Sequence, residues 1–104
     1  MSETITFVAC KDRREAAALA RSLVKERLAA CVNIVPGVTS VYRWKGKVEE
    51  AREVLLVIKS RRALSKRLVA WVRAHHSYEV PEVVTIPIAA GNPAYLRWVR
   101  ESTR

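Results

Sequence analysis

The sequence predicts an α+β fold with the element order β-α-β-β-α-β and a short additional helix at the C-terminus. Two stretches, 13–29 and 61–76, repeat apolar residues with the period of an amphipathic helix. Runs rich in β-branched and aromatic residues surround them at 4–9, 31–44, 47–60 and 83–88. Right-handed crossovers place both main helices on one face of the sheet, which is the arrangement of a ferredoxin-like sandwich. The chain, residues 1–104, is expected to form a single domain.

The first strand and the first helix follow from local signals. The run "TITFVA" (4–9) is β-prone, and Asp12 offers a helix cap three residues before Glu15, which is the spacing of a capping box. Apolar residues continue at helical spacing as far as Leu28, so the helix is predicted over 13–29.

A long hairpin is predicted from residue 31 to residue 60. Its first strand, "CVNIVPGVTSVYRW", is interrupted by Pro36-Gly37, where a bulge or bend is expected. Lys45-Gly46 then predicts a tight turn into "KVEEAREVLLVIKS". At about 3.3 Å per residue the return strand would span roughly 45 Å, more than the sheet of so small a domain needs. Part of the hairpin should therefore project and contact another surface.

The second half of the chain supplies a helix, an edge strand and the terminal helix. Ser60 is the expected cap of the helix over 61–76. The last strand, "VVTIPI", belongs at a sheet edge because Pro87 has no backbone donor. Asn92-Pro93 is typical of a cap followed by proline at the first helical position.

Two of the strands are apolar on both faces. The runs "EVLLVIK" and "VVTIPI" lack the alternation of a half-exposed strand, which indicates burial on both sides. Since the chain has too few helices to cover the second face, another copy is expected to do so. The sequence therefore predicts a homo-oligomer with sheet-on-sheet contact.

Several functional classes lack their sequence signals. No run approaches the roughly 20 apolar residues of a membrane span, and "MSETITFVAC" does not resemble a signal peptide, so a cytoplasmic location without membrane contact is predicted. The three glycines form no nucleotide-binding loop. Asp12 is the only aspartate and no G-x-S-x-G occurs, which disfavours a Ser-His-Asp triad. We therefore predict a protein that is not an enzyme.

The positive charge of the chain suggests nucleic-acid binding, but the aromatic content of its central strands does not. The net charge is +9, and the stretch 59–73 contains six lysines and arginines with no acid. Proteins of this topology that bind RNA stack bases on aromatic residues of the central strands. Those strands contain a single aromatic residue, Phe7. We therefore interpret the basic stretch as a solvated helix face and predict no nucleic-acid partner.

Metal binding remains as the chemistry for which ligands are present. His75 and His76 are adjacent, so on a helix they point about 100° apart and do not chelate one ion easily. A favourable interaction with the dipole at the helix C-terminus is a sufficient reason for His75. For His76, the sequence supports a structural role and a functional role about equally. A thiolate from Cys31 with an imidazole would suit copper or zinc. Cys10 is interpreted as a small core residue, and whether Cys31 and His76 meet is left open.

The arrangement of five segments resembles the CutA family of divalent-cation tolerance proteins. These segments are "AACVN" (29–33), "PGVTSVYRWKGKVEE" (36–50), "EVLLVIKS" (53–60), "YEVPE" (78–82) and "YLRWV" (95–99). The resemblance covers nearly the whole chain. It implies a ferredoxin-like fold with a long hairpin between the second and third strands. It also implies a tight PII-like homotrimer, whose hairpins interlock and whose subunits leave clefts between them.

The resemblance also implies functional positions and a function. It places metal binding on Cys31, His76 and Glu79, and an intersubunit cleft at Tyr42, Trp44, Lys59 and Tyr78. The function expected is non-enzymatic tolerance or binding of a divalent ion, copper or zinc, with no obligatory cofactor. Metal ions and further copies of the chain are the expected partners. The alternative is a PII-like signalling or scaffold trimer that binds a small anionic ligand in its clefts, favoured by the positive charge, Lys59 and the aromatic pair.

Two positions depart from the family pattern. Lys45 stands where the family turn "W-E-G-K" has a glutamate, which makes the hairpin tip less attractive to cations. Ser77 stands where "HPYEVPE" has a proline, so the family histidine is His76 and His75 is additional.

Overall fold

The computed structural model describes residues 2–104 and shows an α+β sandwich with a four-stranded antiparallel sheet. Its strands are β1 (Glu3–Cys10), β2 (Cys31–Trp44), β3 (Lys47–Arg61) and β4 (Val84–Pro87). Its helices are α1 (Arg13–Lys25), α2 (Ser65–His75) and α3 (Pro93–Glu101), and a short 3₁₀ turn, Arg62–Leu64, leads into α2. The predicted fold class is confirmed. The strand order β2-β3-β1-β4 places β4 at an edge, as Pro87 predicted.

The core lies between one face of the sheet and the two main helices. Alternate residues of β3 (Val54, Leu56 and Ile58) are buried on this face beside Val8 and Cys10 of β1. The helices contribute their apolar stripes to the same cluster: Ala16, Leu19, Ala20 and Leu23 of α1, and Leu68 and Val72 of α2. The helical spacing of apolar residues therefore predicted the buried stripes of both helices.

The second face of the sheet is covered at one end by α3. Glu3 and Arg61, which are paired across β1 and β3, both bind this region of the chain. Arg100 donates to Glu3 at 2.9 Å, and Arg61 donates to the Thr103 carbonyl at 3.0 Å. Beyond α3, large apolar side chains remain exposed on this face, namely Val35, Val84 and Ile86, and Val41 and Val48 are exposed on the projecting hairpin. A single chain therefore leaves much of the predicted oligomer contact uncovered.

The hairpin is formed as predicted. β2 and β3 pair in register from Cys31 to Trp44, with a shift between Val35 and Val38. Gly37 has φ +77° in this shift, so the residue without a β-carbon accommodates the bulge. At the tip, Lys45 and Gly46 both have positive φ, as a tight type I′ hairpin turn requires.

The predicted end of the first helix is wrong. α1 ends at Lys25 rather than at residue 29 because Arg27 adopts the left-handed conformation, with φ 62°. The Leu28 amide donates to the Leu23 carbonyl at 3.0 Å and the Arg27 amide to the Val24 carbonyl at 3.1 Å. This pair of bonds is a Schellman motif, which closes the helix and turns Leu28 into the core.

The predicted cap of the second helix is also wrong. Ser60 belongs to β3, which runs to Arg61, and its buried hydroxyl donates to the Leu28 carbonyl at 2.7 Å. That hydrogen bond satisfies a carbonyl beyond the end of α1 instead of an amide at the start of α2. The α-helix consequently begins at Ser65 and ends at His75, with His76 as its cap.

Candidate functional site

A groove of about 600 Å³ lies between the hairpin and the segment that follows α2. We call it the hairpin groove and define it by the residues that line it: Ala9, Ser40, Val41, Tyr42, Trp44, Glu53, Tyr78, Glu79, Val80 and Glu82. The structure thus brings together four of the site residues predicted from the sequence, namely Tyr42, Trp44, Tyr78 and Glu79.

The hairpin groove is acidic and contains one fixed polar pair. Among its lining residues are the carboxylates Glu53, Glu79 and Glu82 and no lysine or arginine. The Tyr78 hydroxyl donates to Glu53 Oε2 at 2.7 Å. Burial and this bond to Glu53 raise the pKa of Tyr78 above its ordinary value, so its hydroxyl stays a proton donor.

His76 lies behind Tyr78 and holds it in position. Its Nε2 lies 2.8 Å from the Ala9 carbonyl and its Nδ1 lies 3.0 Å from the Tyr78 amide. The carbonyl only accepts and the amide only donates, so the two bonds together require the tautomer with the proton on Nε2. The His76 and Tyr78 rings also contact, with centroids 4.7 Å apart. Both ring nitrogens of His76 are therefore engaged within the chain.

A second group of potential ligands lies beside His76. Cys10, Glu15 and His76 each offer a ligand atom, and these atoms lie within 4.8 Å of one another. Ligand atoms around one tetrahedral zinc ion stand roughly 3.3–3.8 Å apart, since each bond is about 2.0–2.3 Å long. We call these residues the Cys10 cluster. It supplies a sulfur, a nitrogen and an oxygen at separations up to 4.8 Å, so these atoms would move together by roughly 1 Å to bind one ion.

The protonation states of Cys10 and Glu15 determine how the Cys10 cluster could bind a cation. Burial, with Glu15 and Glu53 nearby, raises the pKa of Cys10 to about 12, so the thiol is protonated at neutral pH. Burial raises the pKa of Glu15, but hydrogen bonds from Ser77 and from the Lys11 amide outweigh it, and the pKa is lowered overall. Glu15 is therefore a carboxylate, and binding of a cation would displace the proton of Cys10.

Cys31 lies in a different part of the molecule. It begins β2 opposite Lys59, whereas Ala9, the partner of His76, pairs with Leu55. Four residues of strand separate Lys59 from Leu55, which is about 13 Å. Cys31 lies instead beside α3, where burial and the Cys31 thiol raise the pKa of Tyr95. Within one chain Cys31 and His76 do not meet, and metal binding by Cys31 stays a prediction.

The remaining predicted site residues are also dispersed. Glu79 lines the hairpin groove and is not among the residues of the Cys10 cluster. Lys59 donates to Asn33 Oδ1 and does not line the groove, so one chain does not group it with Tyr42 and Trp44. His75 stacks on Trp71 with ring centroids 4.0 Å apart, and this contact ties it to its own helix.

Four functional candidates were not found from the sequence: Cys10, Glu15, Glu53 and Glu82. Cys10 and Glu15 lie only five residues apart, at the end of β1 and in the first turn of α1, so their proximity was available as a signal. Glu53 gave no comparable signal, because its place opposite Tyr78 depends on how the segment after α2 crosses the sheet. Glu82 was noted in the sequence only as the last residue of the "YEVPE" motif, and no role was predicted for it.

The fold and its side chains define an α+β protein with a long hairpin, an acidic groove and a cluster of potential metal ligands. The family model "CutA1 divalent ion tolerance protein" matches residues 4–102, and the chain belongs to this family. "Divalent-cation tolerance protein CutA" of Thermus thermophilus is 48% identical over 101 residues, covering 97% of this chain and 98% of that protein. Its solved structure superimposes with a TM-score of 0.96 at 48% identity, over 98% of this chain and 99% of that one.

Longer relatives match the same region. "Protein CutA" of Mus musculus is 48% identical over 102 residues, which are 98% of this chain and 58% of that protein. "Protein CutA, chloroplastic" of Arabidopsis thaliana is 49% identical over 100 residues, covering 96% of this chain and 55% of that protein. The chain therefore spans somewhat more than half the length of these curated relatives.

The prediction of a cytoplasmic location is contradicted by the relatives. The Arabidopsis protein is named as chloroplastic. A structure from Archaeoglobus fulgidus, described as a periplasmic divalent cation tolerance protein, has 34% identity and a TM-score of 0.92 over 96% of this chain and 97% of that one. Sequences with this fold thus occur in more than one compartment, and the N-terminal pattern was an insufficient basis for the prediction. Along residues 2–104, every helix is too short or too polar to cross a membrane.

Proposed function

We propose that this chain acts in divalent-cation tolerance by binding the ion itself, as a non-enzymatic homotrimer. The observation that carries the proposal is the Cys10 cluster, in which a thiol, an imidazole and a carboxylate lie within 4.8 Å of one another. Family membership supports the same role, because the matching model and the Thermus thermophilus relative are named for tolerance of divalent ions. The trimer is supported by the apolar residues that one chain leaves exposed on its sheet and hairpin.

The donor atoms of the Cys10 cluster favour copper or zinc over the hard cations. Sulfur and imidazole nitrogen are ligands of copper and zinc, whereas magnesium and calcium take oxygen. Within the cluster Cys10 replaces Cys31 as the sulfur donor that we expected from the sequence. His76 keeps its expected role, but it must exchange one of its hydrogen bonds for the ion.

The anionic-ligand alternative is not supported by a specific contact in the chain. The hairpin groove is lined by three carboxylates, and Lys59 is bound to Asn33 outside it. An anion in this groove would meet like charge, which costs binding energy. We therefore retain the divalent-cation proposal alone.

Calorimetric titration of Zn²⁺ under reducing conditions, repeated with copper, tests the proposal on the wild type and on three variants. Cys10→Ser and His76→Ala should each weaken binding at least tenfold, because each removes a ligand. Cys31→Ser is the matched control and should bind like the wild type. Identical binding by wild type and Cys10→Ser would contradict the Cys10 cluster, and a loss confined to Cys31→Ser would favour the assignment made from the sequence.

Proton release gives an independent readout of the same site. Because the pKa of Cys10 is about 12, an ion that binds its sulfur displaces one proton at neutral pH. Affinity should consequently rise with pH across the range in which the protein is folded. Titrations in buffers of different ionisation enthalpy measure the proton, and its loss in Cys10→Ser would assign it to that thiol.

A further inference from the structure

We propose that the outer surface of the two main helices binds the phosphate backbone of double-stranded nucleic acid. We call this surface the helix layer and define it as residues 13–27 and 62–75, which contain α1, the 3₁₀ turn and α2. The sheet separates the helix layer from the exposed apolar face of Val35, Val84 and Ile86, where another copy of the chain is expected. The inference does not depend on the divalent-ion proposal.

Most of the positive charge of the chain lies on the helix layer. The layer contains nine lysines and arginines and two glutamates, whereas the rest of the chain contains ten lysines and arginines and eight acids. Of the two glutamates, Glu15 is turned towards the Cys10 cluster and accepts hydrogen bonds from the Ser77 and Lys11 amides. Only Glu26 is left to offset the nine cations. A surface of one sign attracts a polymer of the opposite sign.

The nine cations are available to an external partner. All nine side chains are exposed, and within residues 2–104 none of them forms an ion pair with a carboxylate. Seven of the nine are arginines, whose planar guanidinium groups bind phosphate oxygens in pairs. Arg67 and Arg73 show this composition on α2, where no acid is present. The chemistry of the helix layer therefore favours phosphate groups.

The other side chains of the helix layer favour a duplex over a membrane or a single strand. Within the layer, all of which the structure describes, Val24 is the one large apolar side chain that is exposed. A helix that binds a membrane surface presents a whole face of such side chains. The two rings of the layer, Trp71 and His75, stack on each other, whereas proteins that bind single strands offer free rings to the bases. A duplex backbone requires neither feature.

The length and charge of the helix layer fit a duplex. α1 has 13 residues and is therefore about 20 Å long. A duplex carries one negative charge per about 1.7 Å of its axis, which gives about 12 phosphates over the same length. Nine cations are enough for the phosphates on the side that faces the protein. Contacts of this kind do not distinguish base sequences.

Fluorescence anisotropy of a labelled duplex of about 20 base pairs, titrated with the full chain between about 50 and 200 mM salt, tests the proposal. Arg67→Gln/Arg73→Gln removes two cations of the helix layer. It should weaken binding at least tenfold at about 100 mM salt and reduce the slope of log affinity against log salt by about 1.8. The charge-matched control, Arg52→Gln/Arg97→Gln, changes exposed residues of β3 and α3 and should bind like the wild type.

Four results would overturn the inference. The first is no duplex binding at about 100 μM protein and low salt. The second is an equal loss in the two double variants, which would assign the effect to net charge. The third is tighter binding of a single strand of the same length, and the fourth is capture by vesicles of anionic phospholipid without duplex binding. Cys10→Ser should bind the duplex like the wild type, so failure of the Cys10 cluster and failure of the helix layer are distinguished.

Discussion

Glu3 illustrates how one residue attaches the C-terminal helix to the sheet. Its side chain is 1% exposed and accepts hydrogen bonds from the Ser2 hydroxyl at 2.6 Å and from Arg100 at 2.9 Å. The bond from Ser2 and the bond from Arg100 lower the pKa of Glu3 from 4.5 to about 2. Both partners favour the ionised form, so the carboxylate holds α3 in place only while it is charged.

Replacing Glu3 with glutamine should therefore destabilise the protein in a pH-dependent way. Since the pKa is lower in the folded state, the stabilisation is fully present above about pH 4.5 and is lost as pH falls towards 2. The free energy of urea unfolding, measured for both proteins from pH 7 to pH 2, should differ most at pH 7 and little at pH 2. A constant difference would show that the charge of Glu3 is not its source. Glu101→Gln, at an exposed position on α3, is the control and should stay within about 0.5 kcal/mol of the wild type.

The residues that line the hairpin groove and the Cys10 cluster could be predicted only in part from the sequence. Tyr78 and Glu79 could be predicted because they belong to one contiguous motif that follows a helix end. Cys10 could not be separated from an ordinary core cysteine, since a thiol in an apolar strand has the same local pattern in both situations. What distinguishes Cys10 is the end of α2, which packs beside it. There the His76 ring donates to the carbonyl of Ala9, which lies 67 residues earlier in the chain. Contacts over that separation are fixed by topology and not by any local pattern.

Among the elements, the hairpin was predicted most completely because each of its features has a local cause. Pro36-Gly37 predicted the bulge and Lys45-Gly46 predicted the turn, and both predictions are confirmed by the register and the backbone angles. The end of α1 was missed for the opposite reason. A left-handed residue that closes a helix is usually glycine or asparagine, and Arg27 in that position carries no signal.

The turn of the hairpin contains a lysine in a backbone conformation that lysine rarely adopts. Lys45 has φ 51°, a conformation that asparagine and glycine adopt at lower cost than lysine. Lys45→Asn should therefore raise the free energy of unfolding by about 0.5–1 kcal/mol, measured by chemical denaturation. Lys47→Asn, two residues along in β3, is the matched control and should be neutral or destabilising, because asparagine is disfavoured in strands. Equal effects of the two substitutions would show that turn conformation is not the cause.

For the whole molecule, the hairpin determines the shape and much of the exposed apolar surface. The chain measures 44 × 25 × 24 Å, and the paired strands β2 and β3 are 14 and 15 residues long. Val41 and Val48 of this ribbon are 66% and 69% exposed. Side chains of this kind are normally buried, and a row of them on a projecting ribbon is typical of a surface that another copy covers. The doubly apolar strands read from the sequence and the exposure seen in the structure thus lead to the same expectation of self-association.

The proposed homotrimer can be tested through the apolar residues of the hairpin ribbon. Sedimentation of the wild type should give a mass three times that of the 11.8 kDa chain, as the proposed homotrimer requires. Val48→Asp places a charge on the apolar ribbon and should shift the mass towards that of one chain, since a buried unpaired carboxylate costs several kcal/mol. Val24→Asp, on α1 beside Val32 and Ile34 at the base of β2, places the same charge away from the Val41 and Val48 end of the ribbon and should remain trimeric. A wild type that sediments as a single chain would contradict the trimer, and loss of assembly in both variants would show that the effect does not belong to the hairpin.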